Sequence, residues 1–384
     1  MRRRRAFVGI VAVSLIVVVS TLWGGASWFA EDRTQAVPGA SSPFGGVGPS
    51  PGPSLQLAEA EASISSGAGP ALDHGWACDP SGSSIGCSAA RPMATGSPAP
   101  VGLWSNITNL VGPGPSGRVA EMTWDASDGY VLLYGGFGCS GSCVLADTWT
   151  FANATWTNVT ARVTGSPGAL LLPGLAYDPS TSKVLLFGGG HNTTDATSAT
   201  WTYHALTWTN ISSTVGSTPA PRQFPAMATD SADGEVVMTG GLSASFVPLS
   251  DTWVFKGGSW TNESSVSGPS GHLYAPVASD DPVLHGILLT GPQAGNHGRS
   301  ATLVYSGGTW TNLTSTLAIE PPPMDLAAAG YLPLNRAVVV DSGVEFNASA
   351  GTNLAQAVWE FSGGSWTNIT DFTGTPPSTF LGVA

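Results

Sequence analysis

Between residues 101 and 384, short segments rich in apolar and β-branched residues alternate with polar turn residues. The first unit of this pattern runs PSGRVAEMTWD, YVLLYGG, DTWTFAN and TWTNVT, and the third runs PAPRQFPAMATD, EVVMTGG, DTWVFKG and SWTNES. Segments of this length, bounded by Asp, Asn and Gly, predict strands joined by tight turns. Each unit therefore predicts one four-stranded antiparallel sheet, and we expect an all-β domain.

One phrase ends every unit: a Trp followed by Ser or Thr, then Asn and two further residues. Its copies are 50 to 56 residues apart and begin at Trp104, Trp156, Trp208, Trp260, Trp310 and Trp366. A second Trp stands seven positions earlier in four of the five units, at Trp149, Trp201, Trp253 and Trp359. An aromatic residue two positions after it shares its strand face. We expect that face to be buried, most simply against the next repeat.

Double glycines follow the second segment of the first three units, at Gly135-Gly136, Gly188-Gly189 and Gly240-Gly241. A hydrophobic run, a double glycine and a spaced aromatic–Trp pair resemble the kelch repeat. The resemblance covers residues 101–384 and implies a β-propeller with one four-stranded blade per repeat. The fourth unit has Gly291-Pro292 and the fifth has Asp341-Ser342-Gly343 at the glycine position, so irregular second strands are expected there.

The repeats predict five complete blades and a partial sixth. Trp104 ends an earlier unit, and the C-terminal TPPSTFLGVA is similar to the opening of another. An open ring would expose blade edges, which favours the partial sixth blade. Five blades with spare ends, or a chain that stops early, are the alternatives.

The N-terminal region has a different character. Arg2–Arg5 precede an unbroken apolar stretch over residues 6–23. This predicts a signal peptide or signal anchor over residues 1–26, with a transmembrane helix at 6–23 if it is not cleaved. We favour the anchor, and both alternatives export the remainder of the chain. Residues 27–100 are rich in Pro, Gly and Ser and predict a flexible stalk.

Charge narrows the range of partners. The chain holds 13 basic and 25 acidic residues, and four of the basic ones are Arg2–Arg5. An acidic body of this kind would repel phosphate backbones, so nucleic acid is not an expected partner. Export would place the cysteines in an oxidising compartment, where disulfide bonds form. We predict two local bonds, one between Cys78 and Cys87 and one between Cys139 and Cys143. Free thiols or a metal site are the alternatives for these four cysteines.

Glycosylation is the modification that the sequence favours. Nine Asn-x-Ser/Thr sequons occur, at Asn106, Asn153, Asn158, Asn192, Asn210, Asn262, Asn312, Asn347 and Asn368. Six of them lie at the repeated Trp-x-Asn position, where Asn and Thr also suit the end of a strand for structural reasons. Asn153, at an expected hairpin tip, is the strongest candidate.

Enzymatic functions find little support in the residues. Some kelch-type propellers resemble galactose oxidase, whose copper chemistry would here draw on His191 and His297. A sialidase-like site would need an arginine trio from Arg118, Arg222 and Arg299 or Arg336. For Arg118 and Arg222 we favour a bracing role on loop carbonyls of adjacent blades, and for the turns DASDG and DSADG ordinary hairpins rather than calcium loops.

The sequence therefore predicts no catalytic residue, no metal and no cofactor. We expect a non-catalytic, secreted or membrane-anchored surface protein whose propeller loops bind an unknown protein or glycan. It is similar in this respect to archaeal surface proteins with kelch repeats. The alternative is a carbohydrate-active enzyme of the oxidase or sialidase kind. The first strands predict a small, apolar lining of the ring centre, with Glu121 as the one acid.

Overall fold

The structure is a computed structural model that describes residues 76–77, 88–89, 107–138, 143–192, 194–264, 273, 275–293, 296–325, 327–347 and 351–372. The chain divides into two compact units. In the unit spanning residues 23–98, the described residues form one antiparallel pair, β1 (Trp76–Ala77) with β2 (Ser88–Ala89).

Several predictions concern residues outside the described part of the chain. They include the helix at 6–23, most of the stalk, Cys78, Cys87, Cys139, Trp104 and Asn106. Cys143 begins a strand, but its side chain is not described. Both disulfides thus stay predictions. Within the described residues, no helix has the length and apolar character needed to cross a membrane.

The described residues of the second unit form five blades in a propeller ring, as the repeats predict. Blade 1 contains β3 (Arg118–Asp125), β4 (Tyr130–Gly138), β5 (Cys143–Ala152) and β6 (Thr155–Asn158). Blade 2 contains β7 (Gly174–Asp178), β8 (Lys183–Phe187), β9 (Thr200–His204) and β10 (Thr207–Asn210). Blade 3 contains β11 (Ala226–Asp230), β12 (Glu235–Thr239), β13 (Thr252–Lys256) and β14 (Ser259–Asn262).

Blades 4 and 5 keep this plan with longer central strands. Blade 4 contains β15 (Val277–Asp281), β16 (Gly286–Gln293), β17 (Asn296–Ser306) and β18 (Thr309–Asn312). Blade 5 contains β19 (Met324–Asp325), β20 (Ala328–Leu332), β21 (Ala337–Asn347), β22 (Gly351–Ser362) and β23 (Ser365–Asn368). The expected irregularities are present, because register shifts occur at Pro292/Gln293 and at Asp341/Gly343.

Strands pair antiparallel in chain order in blades 1 to 4, whereas in blade 5 both β19 and β20 pair with β21. The first strands of consecutive blades contact one another from β3 through β7, β11 and β15 to β20. The first strands therefore lie innermost and the Trp-Thr-Asn strands outermost. The segments predicted to form a partial sixth blade, residues 101–106 and 375–384, lie outside the described residues.

The core lies between blades, and its direction corrects one expectation. The face that carries Trp253 and Phe255 packs against Leu185 and Phe187 of the preceding blade, not the following one. A two-residue period shows which side chains share a face, but it does not show which neighbour that face meets. Trp260 completes this packing, with ring centroids 5.1 Å from Phe255 and 5.4 Å from Phe187.

One hydrogen bond recurs at four junctions of the described blades. The indole Nε1 of the fourth-strand Trp donates to the Oγ1 of a Thr in the third strand of the preceding blade, a contact we call the Trp–Thr latch. The latches are Trp208–Thr148 (3.4 Å), Trp260–Thr200 (3.2 Å), Trp310–Thr252 (2.8 Å) and Trp366–Thr302 (2.9 Å). All are buried, so each latch satisfies an indole that would otherwise lack a partner between two sheets.

The double glycines form a second junction nearer the ring centre. The N–H of Gly189 donates to the carbonyl of Arg222 in the next blade at 2.9 Å, and Gly136 donates likewise to Leu170 at 3.1 Å. Gly188 has φ of +73°, and a Cβ there would lie 2.6 Å from the same carbonyl oxygen of Arg222. The double glycines thus let the following blade approach closely.

Blade 5 departs from the pattern on its third strand. Val358 occupies the place of the latch threonine, since its N–H donates to Thr370 Oγ1 as the N–H of Thr302 donates to Thr314 Oγ1. Trp359 Nε1 is buried without a hydrogen-bond partner among the described residues. Its counterpart Trp253 donates to Asp251, and Ala357 stands where that aspartate would be.

We predict that Thr252→Val lowers the free energy of unfolding by about 1–3 kcal/mol, because it leaves the buried indole of Trp310 without an acceptor. Thr252→Ser keeps the hydroxyl and should retain most of the stability. Urea unfolding followed by Trp fluorescence measures both variants. A Val variant as stable as the native protein, with a loss of stability confined to Ser, would show that the methyl group, and not the hydrogen bond, stabilises the junction.

Candidate functional site

An open groove of about 700 Å³ lies beside the segment that leads from blade 4 to blade 5. We call it the Arg299–Glu320 groove. Its lining consists of Arg299, Asn312, Thr314, Ser315, Leu317, Ala318 and Glu320. The volume lies within the range of small-molecule sites, and the lining combines hydroxyl, amide and charged groups with a small apolar patch.

Local hydrogen bonds fix one wall of this groove. The N–H of Thr314 donates to Asn312 Oδ1 at 2.9 Å, and Thr314 Oγ1 accepts from the N–H of Thr302 at 3.0 Å. A 3-10 turn then covers Thr314–Thr316. Leu313 and Leu317, on either side of this turn, pack against the core of blade 5. The wall is therefore anchored to two blades and presents its polar groups in a fixed arrangement.

Glu320 is the groove's chemically unusual residue. Its Oε1 is buried and has no hydrogen-bond partner among the described residues. Burial raises the pKa of this carboxyl, and the positive charge of Arg299 partly opposes that shift. A buried acceptor without a donor costs about 1–3 kcal/mol. A ligand that donates a hydrogen bond to Glu320 would remove this cost.

The arginines considered for a carboxylate site do not form a trio. Arg222 is fully buried, and its guanidinium bonds Gly240 O at 2.9 Å and Asp251 through two bonds of 2.6 Å. Burial alone would raise the pKa of Asp251, but the hydrogen bonds and charge of Arg222 outweigh it and lower that pKa. Arg118 pairs with Asp147 through one hydrogen bond and donates another to Ser116 Oγ.

The expected bonds of Arg118 and Arg222 to loop carbonyls are present, but they brace a single blade rather than two neighbours. The other two candidates are exposed. Arg336 lies in the turn between β20 and β21, whereas Arg299 lines the groove. Of the four arginines, Arg299 is the one that lines the groove.

The histidines considered for copper are engaged elsewhere or not described. His191 Nδ1 lies 2.7 Å from Asp195 Oδ2 on the surface, and this contact lowers the pKa of Asp195. The side chain of His297 is outside the described residues. Among the described residues, the group that contacts the His191 ring is thus a carboxylate and not a second histidine.

The recurring sequons have a structural role in the described blades. Their Asn side chains are exposed at the strand end, and each Oδ1 accepts from the N–H two residues on, as at Asn158, Asn210, Asn262, Asn312 and Asn368. The Ser or Thr hydroxyl bonds the third strand of the same blade, as Thr160 does with Thr148. The repeat therefore conserves these residues for its own geometry.

The sequons outside the repeat position are a separate case. Asn153 is exposed at a hairpin tip with φ of +48°, as its position in the sequence predicts. Asn192 is also exposed, whereas the side chain of Asn347 is not described. Glycosylation at any of these residues stays a prediction.

Glu121 is the buried acid in the body of an innermost strand, whereas Asp125, Asp178, Asp230 and Asp281 are buried at strand ends. Four positions before the end of each first strand, the other blades have Gly174, Ala226, Val277 and Ala328. The small, apolar pattern predicted for this position is thus present, with Glu121 as its exception. Burial raises the pKa of Glu121 well above its usual value.

The groove could not have been found from the sequence. Glu320 precedes three prolines and belongs to no repeat position, and Arg299 lies in a loop-adjacent part of β17 that has no counterpart in blades 2 and 3. Only the packing of the connector onto blade 5 brings the two side chains to one cavity.

Glu121→Gln tests the burial of this acid. A raised pKa means that the protonated form stabilises the fold fully below the unfolded value of 4.5, and that this contribution is lost as pH rises towards the folded value. We predict that the variant and the native protein have similar unfolding free energies near pH 4. The variant should then become the more stable of the two as pH rises, by about 1.4 kcal/mol per unit of pKa shift. A difference that does not change with pH would contradict this assignment.

Comparisons with known proteins find no family model that matches this chain, and no curated protein matches it. Among solved structures, the chain is similar to one described as "Structure of YjhT". The two share 15% sequence identity, and the alignment covers 71% of this chain and 89% of the other, with a TM-score of 0.49. A likeness of this size carries no information about a ligand or an activity.

Proposed function

We propose that this protein is a non-catalytic binding module and that the Arg299–Glu320 groove holds a glycan. The observation that supports this most is the buried Oε1 of Glu320, which has no donor among the described residues and belongs to a residue that lines an open, polar cavity. A sugar supplies what this site lacks, because each hydroxyl group can donate a hydrogen bond and accept another.

The remaining lining suits the same ligand class. Arg299 offers several N–H donors to ring and hydroxyl oxygens, or to a sugar carboxylate. Thr314 and Ser315 offer hydroxyls, while Leu317 and Ala318 can contact the C–H face of a sugar ring. A protein ligand is the competing possibility, and it would more typically bury a flat apolar patch with aromatic anchors.

We also propose that the ring belongs to the kelch type, with a partial sixth blade built from the chain ends, and that it is displayed outside the cell. The repeat phrase with its double glycines supports the first part, and the apolar segment at 6–23 after Arg2–Arg5 supports export. Export would place the groove among extracellular glycans. A glycan attached at Asn312, on the groove wall, would compete with a bound one.

Glycan binding is tested with purified protein on a glycan array, followed by isothermal titration of the best ligand. We predict saturable binding without product formation. Glu320→Gln should weaken binding at least tenfold, because it removes the carboxylate acceptor at nearly constant shape. Arg299→Met should weaken it similarly.

Arg336→Met is the matched control, since it removes an exposed arginine that is not part of the groove. Binding that is equally strong in the Glu320, Arg299 and Arg336 variants would place the glycan elsewhere and reject the groove. Turnover of the sugar would favour the carbohydrate-active enzyme. Binding only to proteins would reject the glycan assignment.

A further inference from the structure

The turn between the first and second strands of blade 3 brings three carboxylates together. Asp230, Asp233 and Glu235 each place an oxygen within 4.8 Å of the other two. Asp230 and Glu235 are buried, whereas Asp233 is exposed and leaves a route from solvent. Oxygen-only clusters with this mixture of burial and access are typical of sites for hard divalent cations.

Asp230 carries the observation that points to a ligand. Its side chain is fully buried, and its Oδ1 accepts from the N–H groups of Ala232 and Asp233 at 3.0 and 3.1 Å. Its Oδ2 is buried and has no partner among the described residues. In blade 2, the same oxygen of Asp178 is satisfied by the hydroxyl of Thr181. Blade 3 has Asp233 at that position, so a carboxylate replaces the donor.

A cationic group already touches this cluster. Lys256 Nζ donates to the carbonyl of Asp233 at 2.6 Å and lies 3.3 Å from Glu235 Oε2. Its side chain is about half exposed, so it can swing away into solvent. Of these two contacts, the one to the Glu235 carboxylate engages a group that a metal ion would use.

The surrounding charges favour a cation more strongly than one lysine can satisfy. Burial raises the pKa of Glu235, and the negative charge of Glu263 adds to this rise. Burial likewise raises the pKa of Asp280, and the charges of Asp230 and Asp281 add to it. On the facing blade, Tyr305 donates its hydroxyl to Glu263 Oε2 at 2.5 Å. Lys256 is the one basic residue found in contact with these acids among the described residues.

We propose that Asp230, Asp233 and Glu235 bind a calcium ion, with Lys256 as the competing cation of the metal-free protein. Carboxylate and backbone oxygens with remaining positions filled by water suit calcium, which accepts irregular coordination better than magnesium does. The proposal adds to the hairpin expected for DSADG, because Glu235 lies beyond the turn and Lys256 belongs to β13, which pairs with β12. Three carboxylates and a competitor predict a dissociation constant on the order of 10⁻⁴–10⁻³ M.

Blade 1 offers a matched turn without the site. Asp125 and Asp128 stand where Asp230 and Asp233 do, and Asp125 Oδ2 also lacks a partner among the described residues. Tyr130 replaces the glutamate and donates its hydroxyl to Asp128 at 2.8 Å. This turn therefore has two carboxylates in place of three, one of which is already engaged.

The test is isothermal titration of the EDTA-treated full-length protein with CaCl₂, and with MgCl₂ for comparison, at constant ionic strength. We expect one calcium site, weaker binding of magnesium, and a rise in thermal midpoint with calcium. Glu235→Gln should weaken calcium binding at least tenfold, and Asp233→Asn should do so as well. Asp233 is exposed, so its variant keeps the test valid if Glu235→Gln does not fold.

Lys256→Met gives the most specific readout, because removal of the competing charge should tighten calcium binding by about tenfold. Asp128→Asn, in the matched turn of blade 1, should leave the affinity unchanged. No calcium binding to the native protein and to Lys256→Met would overturn the proposal and leave an acid cluster neutralised by lysine. Binding that Asp128→Asn abolishes, or that Glu235→Gln and Asp233→Asn leave intact, would overturn it as well.

Discussion

The propeller depends on the hydrogen bond that one blade donates to the blade before it. The sheets are small, with outer strands of only four residues, and each buries its apolar face only against a neighbour. The Trp–Thr latch fixes the spacing of two such faces, because the indole needs its acceptor and its ring fills the gap between them. Tyr134 and Tyr203 of consecutive blades enclose Trp208 at 4.8 and 4.9 Å in this way. The recurring Trp and Thr residues therefore specify the junctions between blades, whereas the turns and connectors differ from blade to blade.

The two binding sites that we propose lie outside the junctions, where the repeats differ from one another. The Arg299–Glu320 groove lies on a connector, and the carboxylates of blade 3 lie on a strand turn. Both contain a buried carboxylate oxygen without a donor among the described residues, at Glu320 and at Asp230. Unsatisfied buried oxygens are unfavourable for the fold itself, so they are the places where a bound group would contribute most. The rigid junctions on either side keep both sites in one arrangement.

The sequence predicts much of the ring and little of the sites. Repeats of the Trp-Thr-Asn phrase predict the strand order and the five described blades, because the Trp makes the same contact at four junctions. The partial sixth blade stays a prediction. The prediction that Trp253 packs against the following blade is wrong, because a strand pattern does not identify the neighbouring sheet. Glu320, Arg299 and the convergence of Lys256 with Glu235 could not be predicted, because each depends on side chains from different segments meeting in space. The sequence indicates only a turn role for Asp230. That its Oδ2 has no donor among the described residues is known only from the structure.

Proton exchange at the tryptophan indoles, followed by NMR, tests the latch most directly. The indole N–H groups of Trp208, Trp260, Trp310 and Trp366 should exchange with solvent deuterium far more slowly than that of Trp124, whose side chain is exposed. Protection of these four groups, and its loss at Trp310 alone in Thr252→Val, is the predicted result. Exchange of the four indoles as fast as Trp124 would contradict a ring held by these hydrogen bonds.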